Sequence, residues 1–208
     1  MPPDNPVLYV ARHGQTVLNA TKAFRGSANP PLDKQGIQQA HKLASLFSTI
    51  DISHIFCSDK QRATKTAEII AGIKNSPVHQ SQNLRALDVG DFSGQPRNEE
   101  SEAELQKYLD DPESTIPGGE SLNEFKARIR PCIMEAINLF CECGAPPLVV
   151  AHSSVVHEIG DMANSNHKSV LVEPGGVIAV YFKDGKLSAN PIFRPVKAAQ
   201  ISQAGTIT

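Results

Sequence analysis

At 208 residues with 40% hydrophobic content, the chain has material for one domain with a buried core, and too little to suggest two. Its 20 basic and 22 acidic residues give a formal net charge of -2, which offers no cationic field for nucleic acid or an anionic membrane. No apolar run is long enough to span a bilayer, Met1-Pro2-Pro3-Asp4-Asn5 lacks the features of a signal peptide, and cysteines 57, 132, 141 and 143 outline neither a disulfide scaffold nor a metal site; a cytoplasmic protein without metal is expected.

The first apolar run, near 7–11, predicts a strand that ends in Arg12-His13. A permanent cation beside an imidazole suits phosphate chemistry: Arg12 can grip a phosphoryl group with its planar fork, and a neutral His13 ring nitrogen can attack phosphorus. Ile37, Ala40, Leu43, Ala44 and Phe47 then recur at helical spacing. A strand near 54–57 leads into a helix marked by Ala63, Ala67, Ile70 and Ala71. This places Arg62 in the first turn, where unpaired N–H groups and the helix dipole favour an anion. A third strand is expected near 78–80. If residues 84–89 are also extended, Ala86 and Asp88 share a face about 7 Å apart.

A short amphipathic piece near 100–110 sits in an insertion, about 95–120, that could cover a cavity as a lid. Ile129, Ile133, Ala136, Ile137 and Phe140 mark a further helix, ended by Gly144 and Pro146-Pro147, with Pro131 expected to interrupt its early part. Glu120, just before that helix, reads equally as a cap or a ligand contact. The run at 148–152 delivers a second histidine, His152, at a strand end, followed by a helix whose first N–H groups belong to Ser153 and Ser154. A last strand is expected near 176–182, and residues 197–208 read as a mobile polar tail.

Alternating β and α elements imply an α/β fold, three layers with a mainly parallel sheet covered on both faces, in a single domain over 1–196. Ligands of such sheets bind beyond the carboxyl ends of the strands, so His13 and His152 are expected to face one cavity. Gly118-Gly119 and Gly175-Gly176 lack the spacing of a dinucleotide or P-loop fingerprint, and no cofactor is expected.

These motifs together resemble the histidine phosphatase superfamily, in its phosphoglycerate-mutase-like branch. Arg12-His13-Gly14-Gln15-Thr16 with Asn19 resembles the family's RHGxTxxN nucleophile motif. Pro31-Leu32, Gly36 and Gln39-Ala40 resemble the segment after it. Ser58-Asp59 through Arg62, Thr66 and Ala67 looks like the second-arginine helix, Gly118-Gly119-Glu120-Ser121 with Arg128 resembles the GGES segment, and Ala151-His152 looks like the second-histidine strand end.

The resemblance implies a phosphoglycerate-mutase-like fold. It implies transfer of a phosphoryl group to His13 and then to water, with Arg12, Arg62 and His152 as catalytic groups and Thr16, Asn19, Ser153 and Glu120 near the substrate. The expected partner is a small phosphomonoester or inorganic phosphate. One position departs. Where the family commonly reads L-R-E-x-D-x-G, this chain has Leu84-Arg85-Ala86-Leu87-Asp88-Val89-Gly90, so the carboxyl that would protonate the leaving oxygen is replaced by Ala86. Asp88 is the candidate substitute acid. A slowed phosphatase, a phospho-ligand-binding protein without turnover and a phosphoglycerate mutase stay open as readings, as does the oligomeric state.

Overall fold

The apolar runs pair into one six-stranded sheet because their backbone groups have to be satisfied once buried. In the computed structural model, residues 5–21, 23–26, 28–163, 170 and 172–195 are described. The tail 197–208 and His167 lie outside them. The strands are β1 (Leu8–Arg12), β2 (Ile55–Ser58), β3 (Val78–Ser81), β4 (Leu148–Ala151), β5 (Val177–Lys183) and β6 (Lys186–Phe193), in the order β3-β2-β4-β1-β5-β6. The β3-β2, β2-β4 and β4-β1 pairings are parallel, and β1-β5 and β5-β6 are antiparallel.

Strand alternation divides the core in two. Leu8, Val10, Val149, Ala151, Ile178 and Val180 face one side with Phe125, Ile129 and Ile133 of α5 (Leu122–Cys143) and Val155 and Ile159 of α6 (Ser153–Met162). Tyr9, Ala11, Leu148, Val150 and Val177 face the other, against Leu43 and Phe47 of α2 (Lys34–Phe47) and Ala63, Ala67 and Ile70 of α3 (Gln61–Lys74). A third, smaller cluster joins Phe24, Val89 and Phe92 to Leu105 of α4 (Glu99–Asp110) and to Ile116, so the 95–120 insertion packs on the loop that follows the short α1 (Val17–Ala20). Among the described residues no helix is long and apolar enough to cross a membrane.

Three expectations need correction. Residues 85–89 form no strand: β3 stops at Ser81, a 3-10 turn spans Gln82–Leu84, and side chains and local turns rather than a neighbouring strand pair with the backbone that follows. Pro131 does not interrupt α5. It lies on the exposed face, where the Ala127 carbonyl left without an N–H partner can meet water, and the helix runs through it. The hairpin strand β6 was not anticipated, because Lys186–Phe193 has no apolar run and contains Pro191. Its turn, Asp184-Gly185, has positive φ at both residues, as a tight hairpin requires.

Candidate active site

Strand register explains why two distant histidines meet. β1 and β4 are parallel neighbours with Arg12 opposite Ala151, so the next residues, His13 and His152, leave the sheet side by side at its carboxyl edge. The His13 N–H donates to the Ala151 carbonyl at 3.0 Å. The two rings stand edge to face, 5.2 Å between centroids, and both residues are buried.

The His13 ring is fixed at both nitrogens. Nδ1 lies 2.6 Å from the Gly14 carbonyl, which can only accept, so the proton sits on Nδ1. Nε2 accepts from Arg62 Nε at 3.2 Å and carries the lone pair. Thr66 Oγ1 accepts from the Gly14 N–H, and Gln39 Oε1 accepts from the Gln15 N–H, tying this loop to α3 and α2. Glycines make the second contact possible, because a Cβ on Gly36 would stand 2.1 Å from the Gln15 carbonyl oxygen. Thr16, also buried, donates from N–H and Oγ1 to Asn19 Oδ1, turning the Asn19 carboxamide so that its NH2 is the end left to donate.

Arg62 is among the largest fully buried side chains, and its Nη1 donates to the Ala28 carbonyl at 3.0 Å. Arg12 Nη1 donates to the Val172 carbonyl at 2.9 Å, while its buried Nε has no hydrogen-bond partner among the described residues. A third guanidinium, Arg25, was not anticipated. Phe24 positions it by pairing with the 94–95 backbone and packing on Phe92, and one buried Arg25 Nη likewise has no hydrogen-bond partner among the described residues. Burial lowers all three arginines to about 10; for Arg12 the nearby Glu173 opposes the shift. Neither ring nitrogen of buried His152 has a hydrogen-bond partner among the described residues.

Burial first, then the fields of the neighbouring His152 and of Arg62, Arg25 and Arg12, holds His13 well below the ordinary imidazole value of 6.5. Burial and the same arginines do so for His152. Both rings are therefore expected to stay neutral at pH 6.5 in an NMR titration of the free protein; midpoints at or above 6.5 would contradict the buried cationic field. In linkage terms the unfolded chain gains protons first, so these rings cost stability as pH falls below 6.5.

Next to this centre lies a cavity of about 280 Å³ lined by Gly26, Lys60, Gln82, Asn83, Arg85, Ala86, Asp88, Glu120 and Arg128. Arg128 holds its wall in place by donating to the carbonyls of Asn83, Arg85 and Ala86 and to both Glu120 oxygens. Glu120 Oε1 in turn accepts from the Asp88 N–H, and Ser154 Oγ accepts from the Leu87 N–H. Glu120 is thus neither a helix cap nor an unengaged carboxylate; Ser121 caps α5 with Glu124. Asp88 lines the same cavity as Ala86, with Oδ1 accepting from the Gly90 N–H. Ser153 opens α6 directly after His152.

Comparison with known proteins bears on this arrangement. The family model of the histidine phosphatase superfamily (branch 1) matches residues 8–189. A protein of Klebsiella pneumoniae subsp. pneumoniae described as "Probable phosphoglycerate mutase GpmB" is 34% identical over 149 residues, 70% of this chain and 68% of that protein. Among solved structures, Bacillus stearothermophilus YhfR has a TM-score of 0.75 at 22% identity, covering 91% of this chain and 97% of its own. A mycobacterial glucosyl-3-phosphoglycerate phosphatase in complex with VO3 has a TM-score of 0.72 at 22% identity, covering 91% and 99%. At such identities the two structures speak for the fold.

Proposed function

The chain belongs to the histidine phosphatase superfamily, and within it we propose that this protein hydrolyses phosphomonoesters through a phosphohistidine at His13. The observation that carries the reading is the His13 ring, neutral and held so that the Nε2 lone pair meets buried Arg62, with half-buried Arg12 and Arg25 close by. Cations drawn partly out of water without a carboxylate hydrogen-bond partner among the described residues are costly, and a dianionic phosphoryl group is the chemistry that offsets the cost.

Nε2 attacks phosphorus while Arg12, Arg25, Arg62, His152 and the Asn19 amide hold the non-bridging oxygens. The leaving oxygen faces the cavity at Ala86, and water then releases phosphate. Phosphoryl transfer depends chiefly on such positioning and charge stabilisation. The guanidinium groups and neutral imidazole supply both, so the reaction as drawn uses no metal or organic cofactor. The partner is a small phosphomonoester or inorganic phosphate. The free thiols of Cys57, Cys132, Cys141 and Cys143 fit a cytoplasmic setting.

Ala86 favours a second reading, a protein that binds phospho-ligands without turnover. A panel of phosphomonoesters decides among the possibilities: release of inorganic phosphate is expected, isomer exchange of a phosphoglycerate without release would identify a mutase, and binding alone would identify the non-catalytic protein.

A further inference from the structure

We infer that the leaving group this site prefers is itself a phosphate, so that the protein cleaves the phosphoanhydride bond of inorganic pyrophosphate, an activity that rests on the proposed attack by His13 and extends it from esters to anhydrides. A leaving-group cavity with alanine at the acid position meets a third guanidinium beside the nucleophile.

Ala86 lines the cavity without an acidic group. Both Glu120 oxygens accept from Arg128, one also accepts from the Asp88 N–H, and Asp88 Oδ1 accepts from the Gly90 N–H. An alkoxide leaving here forgoes the about 10²–10⁴-fold that a positioned acid contributes. Hydrogen phosphate is a far weaker base than an alkoxide and departs without a proton.

The loop that carries Arg25 touches both halves of the site: Gly26 lines the cavity, and the Ala28 carbonyl accepts from Arg62 Nη1 at 3.0 Å, beside the attacking nitrogen. Gly26 has a φ of +42°, and a Cβ there would stand 1.6 Å from Ser93 Oγ, so the loop turns tightly at this point. Arg25 Nη1 is buried without a hydrogen-bond partner among the described residues, and the field of this guanidinium is felt at both His13 and His152. Arg25 thus stands between the transferring phosphoryl group and the leaving group.

Within the cavity, charges balance. Arg85 is paired with Asp59 and Arg128 with Glu120, and Lys60 and Asp88 are of opposite sign. The excess belongs to Arg12, Arg25 and Arg62, opposed at Arg12 by Glu173, which is exposed and screened by water. A hydrogen pyrophosphate trianion matches that excess better than a monoester dianion. The cavity, about 280 Å³, has no aromatic ring in its described lining on which a base could stack, which favours inorganic pyrophosphate over a nucleotide.

Nε2 attacks one phosphorus, the bridging P–O bond breaks with its electron pair on the departing oxygen, and the trianion divides into a phosphoryl group on His13 and hydrogen phosphate. Water then attacks the phosphohistidine. The P–N electron pair returns to Nε2, and both water protons leave on dihydrogen phosphate.

The test compares pyrophosphate, glycerol 3-phosphate and p-nitrophenyl phosphate without added divalent cations. kcat/KM for pyrophosphate is expected to exceed that for glycerol 3-phosphate at least about tenfold, the low side of what a missing acid costs an alkyl ester. Arg25→Gln should lower kcat/KM for pyrophosphate about tenfold more than for p-nitrophenyl phosphate, which also needs little protonation but carries no second phosphate, a loss on the scale of one charge-assisted hydrogen bond. Ala86→Glu sets a carboxylate against the leaving phosphate and should leave pyrophosphate turnover no faster. Glycerol 3-phosphate turned over as fast as pyrophosphate, equal losses for both substrates in Arg25→Gln, or faster pyrophosphate cleavage in Ala86→Glu would each overturn the inference. Absence of p-nitrophenyl phosphate turnover and of phosphohistidine in the unmodified protein would instead overturn the attack by His13.

Discussion

Replacing His13 with alanine is expected to lower kcat by about 10⁴-fold or more for every phosphomonoester, the scale seen when a covalent nucleophile is removed. No neighbour can take over. Thr16 spends its hydroxyl on Asn19, and the His152 ring stands 5.2 Å from His13, edge to face, without a carbonyl to fix its tautomer. The loop itself should survive, since Gly14 and Gln15 are tied to α3 and α2 through their backbone N–H groups. Phosphate should therefore still bind through the arginines in a calorimetric titration. A steady-state assay with p-nitrophenyl phosphate measures the loss, and residual turnover within tenfold of the unmodified protein would remove His13 from the chemistry.

Ala86→Glu is expected to raise alkyl phosphate turnover by about 10²-fold, the lower end of general acid catalysis, and aryl turnover much less. In barrier terms that gain is about 3 kcal/mol. Position 86 can carry such an acid because its backbone is held on every side. Arg128 Nη2 donates to the Ala86 carbonyl at 2.8 Å, the Leu87 N–H donates to Ser154 Oγ at 3.1 Å, and the Asp88 N–H donates to Glu120 at 2.8 Å. A glutamate there would start from a fixed backbone that already lines the cavity. Aryl and alkyl rates both at background, before and after the substitution and despite phosphate binding, would establish the non-catalytic reading.

The residues of this site that are legible in the sequence are those whose placement depends on a strand end. Arg12-His13 and His152 each follow an apolar run, and parallel pairing of those runs in one register brings the two histidines together. Arg62 is equally legible, because a helix start one residue before it gives an electrostatic reason for its position. Arg25 is different. It lies on a loop with no periodicity, and it becomes half-buried because residues 23–24 pair with 94–96 and Phe24 packs on Phe92. The extended segment expected over 84–89 is not a strand for a related reason. Its backbone partners include the side chains of Arg128, Glu120 and Ser154, far along the chain, and alternation within the segment carries no sign of them. In β6 a signal was present in Asp184-Gly185, but the polar strand after it hid the pairing.

The central claim is that His13 carries the phosphoryl group between substrate and water. Mixing the protein with p-nitrophenyl phosphate, quenching in base and locating the phosphoryl group by mass spectrometry tests it directly. The account predicts one acid-labile, base-stable phosphoryl group on His13 that is absent in His13→Ala; turnover without it, or with the group on another residue such as Ser153, would contradict the account.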